Sequence, residues 1–78
     1  MKQVSITLNS IDKVKSFVNN IGKYPNDFDL VSGRYVIDAK SIMGIFSLDL
    51  SKPINLDIHA DGAELDEILE MLKPYITQ

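Results

Sequence analysis

The chain lacks cysteine and tryptophan, and it has only one histidine and one arginine. Without cysteine it can form neither a disulfide bond nor a thiolate-based zinc site. A chain of 78 residues that folds without such cross-links must rely on packing, which is typical of a cytoplasmic protein. A single histidine is too little for a metal site. We therefore expect no bound metal and no cofactor.

Positive charge and long apolar runs are also scarce. Acidic residues outnumber basic ones by 11 to 8, the net charge at pH 7 is −3, and the lysines are scattered. Nucleic-acid binding requires clustered lysine and arginine, so we expect none. The apolar runs are far shorter than a bilayer, and the N-terminus does not resemble a signal peptide. These features predict no membrane association and a single domain over residues 1–78.

The apolar residues that are present repeat with two different periods. Apolar residues that alternate with polar ones predict four strands, and apolar residues three or four apart predict three helices, in the order β-α-β-β-α-β-α. Because each strand is apolar on one face only, every helix must pack on the same side of the sheet. We therefore expect an α+β sandwich with one open sheet face. The predicted strands are Gln3–Leu8, Phe28–Val31, Arg34–Ile37 and Ile54–Ala60, with a hairpin at Ser32-Gly33.

The inward-facing apolar residues of these elements should form one contiguous core, while the alternate strand residues face solvent. The predicted core residues are Ile6, Leu8, Val14, Phe17, Val18, Ile21, Leu56, Ile58, Leu65, Ile68, Leu69 and Leu72.

A short helix from Ser41 to Leu48 has more apolar faces than two helical turns can bury. Ser41 fits the N-cap position, where its hydroxyl accepts a hydrogen bond from a free backbone N–H. Met43 and Phe46 point in one direction and Ile42 in another. A tightly packed interior, a covering loop or a protein partner would each account for the surplus. We expect Met43 and Phe46 to be exposed in the monomer.

The charged residues give little sign of catalysis. His59 lies on the polar face of a predicted strand beside Asp57, so we expect an exposed, solvated imidazole. The carboxylates after Asp61 spread around the last helix, and Glu64 forms a capping box with Asp61. General acid–base catalysis needs two carboxylates in unlike environments within a cleft, which nothing in the sequence implies. We therefore expect a protein that is not an enzyme.

Several segments together resemble a known family. Lys40-Ser41-Ile42-Met43-Gly44, followed by Ser47-Leu48, resembles the segment around the regulatory serine of HPr, the histidine-containing phosphocarrier protein of the bacterial sugar phosphotransferase system. Lys23-Tyr24, Ser32-Gly33-Arg34 and Asp61-Gly62-Ala63-Glu64 lie at HPr-like spacings. The resemblance covers most of the chain. It implies the HPr fold, an open-faced β-sandwich whose four-stranded antiparallel sheet carries three helices on one face.

The chain departs from HPr between the first strand and the first helix. HPr proteins carry Gly-Ile-His-Ala-Arg-Pro there, the histidine accepting phosphate and the arginine assisting. Here the stretch is Asn9-Ser10-Ile11-Asp12-Lys13, shortened by two or three residues. Ser10 is a far weaker nucleophile than histidine, and Asp12 adds negative charge where the phosphate would lie. The resemblance therefore implies a relative that has lost the phosphocarrier histidine.

The feature that survives by resemblance is the Ser41 helix. In HPr this surface contacts the upstream phosphotransferase enzyme, a serine kinase and a transcriptional regulator, which implies protein partners at Ile42, Met43 and Phe46. A phosphate on Ser41 would lie at the positive end of the helix dipole. We therefore predict a regulatory interaction module controlled by phosphorylation of Ser41. Two alternatives stay open: a phosphocarrier that uses His59, and an interaction domain that is never phosphorylated.

Overall fold

A computed structural model describes residues 1–77. It has the predicted order of strands and helices, with three helices and four strands arranged as an α+β fold. The elements are β1 (Lys2–Ile6), α1 (Ile11–Ile21), β2 (Phe28–Ser32), β3 (Tyr35–Asp38), α2 (Ile42–Phe46), β4 (Ile54–Ile58) and α3 (Gly62–Leu72).

The four strands form one antiparallel sheet in the order β1-β4-β2-β3. The inner strand β4 pairs with β1 on one side, where Leu56 lies opposite Val4, and with β2 on the other, where Leu56 lies opposite Leu30. Leu56 is fully buried, whereas its neighbour Asn55 is exposed. Because side chains alternate between the faces of a sheet, one face is covered and the other is open, as predicted.

The core is one contiguous cluster between the sheet and the helices, and every predicted core residue belongs to it or packs against it. Most are fully buried; Val18, Leu65 and Leu69 are half-buried. Tyr75, which was not among the predicted core residues, is buried and meets Phe17 edge to face with ring centroids 5.5 Å apart.

The two edges of the sheet differ. On the outer edge of β1, Ile6 forms an antiparallel bridge with Ile76. The Thr7 N–H donates to the Tyr75 carbonyl at 2.8 Å, and the Thr77 N–H donates to the Ser5 carbonyl at 2.7 Å. At the opposite edge, β3 pairs with β2, and no other strand of residues 1–77 lies beside it. One edge is therefore partly covered and the other is bare.

The hairpin between β2 and β3 is shifted by one residue from its predicted position. Ser32 pairs with Tyr35, so the loop consists of Gly33 and Arg34 and not of Ser32 and Gly33. Gly33 has a φ of 59°, a left-handed value that favours glycine as the first residue of a two-residue loop.

The predicted capping box at the start of α3 was wrong. Asp61 occupies the N-cap, but its side chain makes no capping hydrogen bond. The next residue, Gly62, has a left-handed φ of 61°, which departs from the helical backbone that a capping box requires. The Glu64 carboxylate instead accepts a hydrogen bond from Asn26 Nδ2 at 2.8 Å. The contact of Glu64 therefore ties α3 to the loop before β2.

Candidate functional site

Ser41 begins α2 as the sequence predicted. Its Oγ accepts a hydrogen bond from the Gly44 N–H at 3.3 Å, and its carbonyl accepts one from the Ile45 N–H at 3.0 Å. The backbone of Ser41 is extended, with φ −92° and ψ 101°, as is usual for an N-cap residue. The side chain of Ser41 is exposed. The hydroxyl therefore lies at the surface, at the start of the helix.

The apolar residues of α2 divide between core and solvent. Ile45 is fully buried, and Ile42 is half-buried against the core. Met43 is 78% exposed and Phe46 is 41% exposed, which confirms the expected exposure of both. We call the set of Ser41, Ile42, Met43 and Phe46 the α2 surface. The binding of a partner there stays a prediction.

The start of α2 is held by the preceding lysine. Lys40 Nζ donates a hydrogen bond to the Tyr24 carbonyl at 2.7 Å and lies 5.6 Å from the centroid of the Phe28 ring. The carboxylate of Asp38 accepts from the Lys40 N–H at 2.9 Å, and its carbonyl accepts from the Ser41 N–H, also at 2.9 Å. Ser41 is therefore positioned by contacts with the α1–β2 loop and the end of β3.

Gly44 allows α2 to lie close to β3, and we expect Gly44→Ala to destabilise the protein by about 1–3 kcal/mol. An added Cβ would lie 2.6 Å from Ile37 Cγ2, a clash that outweighs the ~1 kcal/mol by which a helix favours alanine over glycine. Urea unfolding measures the change. In an Ile37→Leu background, which lacks that methyl group, Gly44→Ala should cost less. A Gly44→Ala variant as stable as the parent would contradict this packing.

The connection between β1 and α1 is built as a helix cap. Ser10 Oγ accepts a hydrogen bond from the Lys13 N–H at 3.1 Å, and Asp12 lies in the first turn of α1. Ile11, the first residue of the helix, is 61% exposed. This segment contains no imidazole, so it offers a phosphate donor groups such as the Ser10 hydroxyl, the Lys13 ammonium and backbone N–H groups, but no histidine to accept a phosphoryl group.

His59 is exposed, as expected, but its placement within a strand was wrong, because β4 ends at Ile58. His59 Nε2 lies 2.9 Å from an Asp29 carboxylate oxygen of β2, whereas Asp57 accepts from Gln3 Nε2 at 2.8 Å. Asp57 is directly opposite Asp29 on the open face of the sheet. A phosphoryl group on His59 would therefore add negative charge beside two carboxylates, an arrangement unsuited to a phosphate carrier.

A groove of about 610 Å³ runs between β1 and α3 and contains none of the predicted site residues. Within residues 1–77, no group of three or more histidine or acidic side chains could hold a metal ion. In the same part of the chain, no helix is both long and apolar enough to cross a bilayer.

Comparisons with known proteins agree with one another. The family model described as "PTS HPr component phosphorylation site" matches residues 12–78. The HPr-like protein Crh of Bacillus subtilis (strain 168) is 32% identical over 62 residues, which cover 80% of this chain and 73% of Crh.

Two solved structures are similar over nearly the whole chain. HPr-C-His from Thermoanaerobacter tengcongensis has a TM-score of 0.72 at 28% identity, covering 92% of this chain and 90% of that one. The phosphocarrier protein HPr from Bacillus anthracis str. Ames has a TM-score of 0.68 at 26% identity, covering 97% of this chain and 94% of that one.

Proposed function

The chain belongs to the HPr family of the phosphotransferase system, and from that premise we propose that it is a regulatory interaction protein and not a histidine phosphocarrier. HPr proteins are phosphocarriers that contact other proteins of the system, so protein partners are expected for any member. The observation that carries the proposal is the α2 surface, where exposed Met43 and Phe46 lie beside an exposed Ser41.

The absence of a histidine before α1 supports the loss of carrier activity. Ser10 occupies the N-cap of α1, and its hydroxyl is engaged by the Lys13 N–H. A serine phosphate ester is stable in water, whereas a carrier needs a phosphoryl group that it can pass on. Asp12 further places a carboxylate in the turn where the incoming phosphate would lie.

The α2 surface has the composition of a docking site. Burial of a methionine or phenylalanine side chain contributes roughly 1.5–3 kcal/mol, and a few such residues dominate most protein interfaces. Met43 and Phe46 retain much of this contribution for a partner, since both are exposed in the monomer. Ile42 is half-buried and packs against the core.

Phosphorylation of Ser41 would change what this surface binds. The phosphate would add a charge of about −1.5 to −2 at the start of the helix that carries Met43 and Phe46. A partner that docks by apolar contact alone would have to desolvate that charge, whereas a partner with an arginine would gain charge-assisted hydrogen bonds. The single hydrogen bond that Ser41 Oγ accepts is 3.3 Å long, so little is lost when the hydroxyl is modified.

Two phosphorylation reactions test the proposal. With phosphoenolpyruvate and the general phosphotransferase enzyme, the protein should gain no acid-labile phosphate. With ATP and an HPr serine kinase, mass spectrometry should show one acid-stable phosphate on Ser41. The Ser41→Ala variant is the matched control and should stay unmodified, while Ser47→Ala, at the other end of α2, should be phosphorylated as the parent is.

Two outcomes contradict the proposal in different ways. Acid-labile phosphate on His59 would show a phosphocarrier with an unusual acceptor, and the His59→Gln variant would then lose it. No modification in either reaction would leave an interaction domain that is not regulated through Ser41.

A further inference from the structure

The outer edge of β3 is exposed along its length. Tyr35 is 69% exposed and Val36 is 67% exposed, and Arg34 and Asp38 on either side are exposed as well. We call the segment from Arg34 to Asp38 the β3 edge. The opposite edge of the sheet differs, since Ile76 bridges to Ile6 there. An uncovered edge presents unpaired backbone groups to which another strand can pair.

The hydrogen bonds of the sheet show which residues of the β3 edge direct their backbone N–H and C=O groups outward. The Ala39 N–H donates to the Phe28 carbonyl at 2.8 Å, so the backbone groups of Ala39 point toward β2. The direction of the backbone N–H and C=O groups alternates along an antiparallel ladder. Those of Ile37 and Tyr35 therefore also point toward β2, whereas those of Val36 and Asp38 point away from it. The Asp38 carbonyl accepts from the Ser41 N–H, outside the ladder, as this alternation requires. Val36 therefore directs its N–H and C=O toward solvent.

The β3 edge is self-complementary, so that two copies of it can pair with favourable side-chain contacts. In an antiparallel pair of two copies centred on Val36, the two Val36 residues lie opposite each other. Arg34 of each copy then lies opposite Asp38 of the other, and Tyr35 lies opposite Ile37. Opposite charges and apolar pairs across strands are stabilising, and a two-fold axis through the Val36 pair makes each of the other contacts twice. We propose that a second copy of this chain pairs with the β3 edge in this register, which joins the two sheets into one.

Charge selects this register over its neighbours. A shift of two residues keeps the outward-facing backbone groups in phase but removes the contacts between Arg34 and Asp38. The Arg34 guanidinium forms no ion pair with another described residue, so its charge is available. One carboxylate oxygen of Asp38 accepts from the Lys40 N–H, and the other accepts no hydrogen bond within residues 1–77. The proposal does not rest on the α2 surface.

The contact is small, and it should give a weak dimer. A single pair of short strands lies at the low end of protein interfaces, below about 1,200 Å². We therefore expect a dissociation constant between roughly 1 µM and 1 mM. Sedimentation velocity over that concentration range should show a single monomer–dimer equilibrium.

Charge reversal tests the register. Arg34→Asp and Asp38→Arg should each weaken the dimer at least 10-fold, because each brings like charges together twice. An equimolar mixture of the two variants should dimerise again, since the variants place an acid opposite a base at both positions. Arg34→Asp removes no contact seen within the molecule. Circular dichroism checks that Asp38→Arg, which loses the bond to the Lys40 N–H, stays folded.

Three results would overturn the proposal. The first is a parent protein that stays monomeric up to about 1 mM. The second is a dimer that neither reversal weakens, which would place the contact elsewhere. The third is a mixture that stays monomeric although both variants are folded, which would exclude this register. None of them bears on phosphorylation of Ser41, so this proposal and the proposed function fail separately.

Discussion

Phe17→Ala should remove a large part of the stability of the protein. Phe17 is fully buried between α1 and the sheet, and its ring meets Tyr75 edge to face. Deletion of a core phenylalanine costs about 3–5 kcal/mol. At roughly 0.05–0.15 kcal/mol per residue, a chain of 78 residues has a total of about 4–12 kcal/mol. Urea unfolding should therefore show a much lower midpoint, or a chain that is largely unfolded without urea.

Phe46→Ala is the matched control, because it deletes the same side chain from the α2 surface. Phe46 is 41% exposed, so the loss should be well below the cost of a core deletion. Equal destabilisation by the two substitutions would contradict the assignment of Phe46 to the surface.

The double substitution Met43→Asp and Phe46→Asp should lower kcat/KM for phosphorylation of Ser41 by an HPr serine kinase roughly 100-fold. Both side chains are exposed, so the fold should be retained while apolar docking is replaced by charge repulsion and desolvation. The rate of phosphate incorporation at low micromolar protein concentration measures the effect.

Val36→Asp is the control for this experiment. Val36 is similarly exposed, at 67%, but it faces the open side of the sheet, away from the helices. Its replacement should leave the kinase rate unchanged. If Val36→Asp lowered the rate as much as the double substitution does, the effect would reflect net charge and not docking by α2.

The faces of the strands could be predicted because alternation is a local property. Asn55 and Gln3 are exposed, and Leu56 and Ile6 are buried, as their positions in the sequence required. The exposure of Met43 followed from the same reasoning, since a helix of two turns has one buried stripe. These predictions needed only the period of each segment and the length of α2.

The contacts that were missed join parts of the chain that are distant in sequence. His59 meets Asp29 because β2 and β4 are neighbours in the sheet, and nothing local to either strand specifies that pairing. The Glu64 side chain likewise bonds to Asn26, which is distant in sequence, and not to the start of its own helix. Tyr75 follows Pro74, so no helical period marked it as a core residue. The identity of a partner is likewise absent from the sequence pattern.

The place of β4 in the sheet also sets the order in which the chain can fold. β2 and β3 are joined by a two-residue loop, so their hairpin closes at little entropic cost. β1 has no such neighbour, because its partner in the ladder is β4, with Lys2 opposite Ile58. β1 must therefore remain without its ladder partner until β4 has been synthesised. Such distant pairing raises contact order, and it makes the docking of β1 a late and slow event in folding.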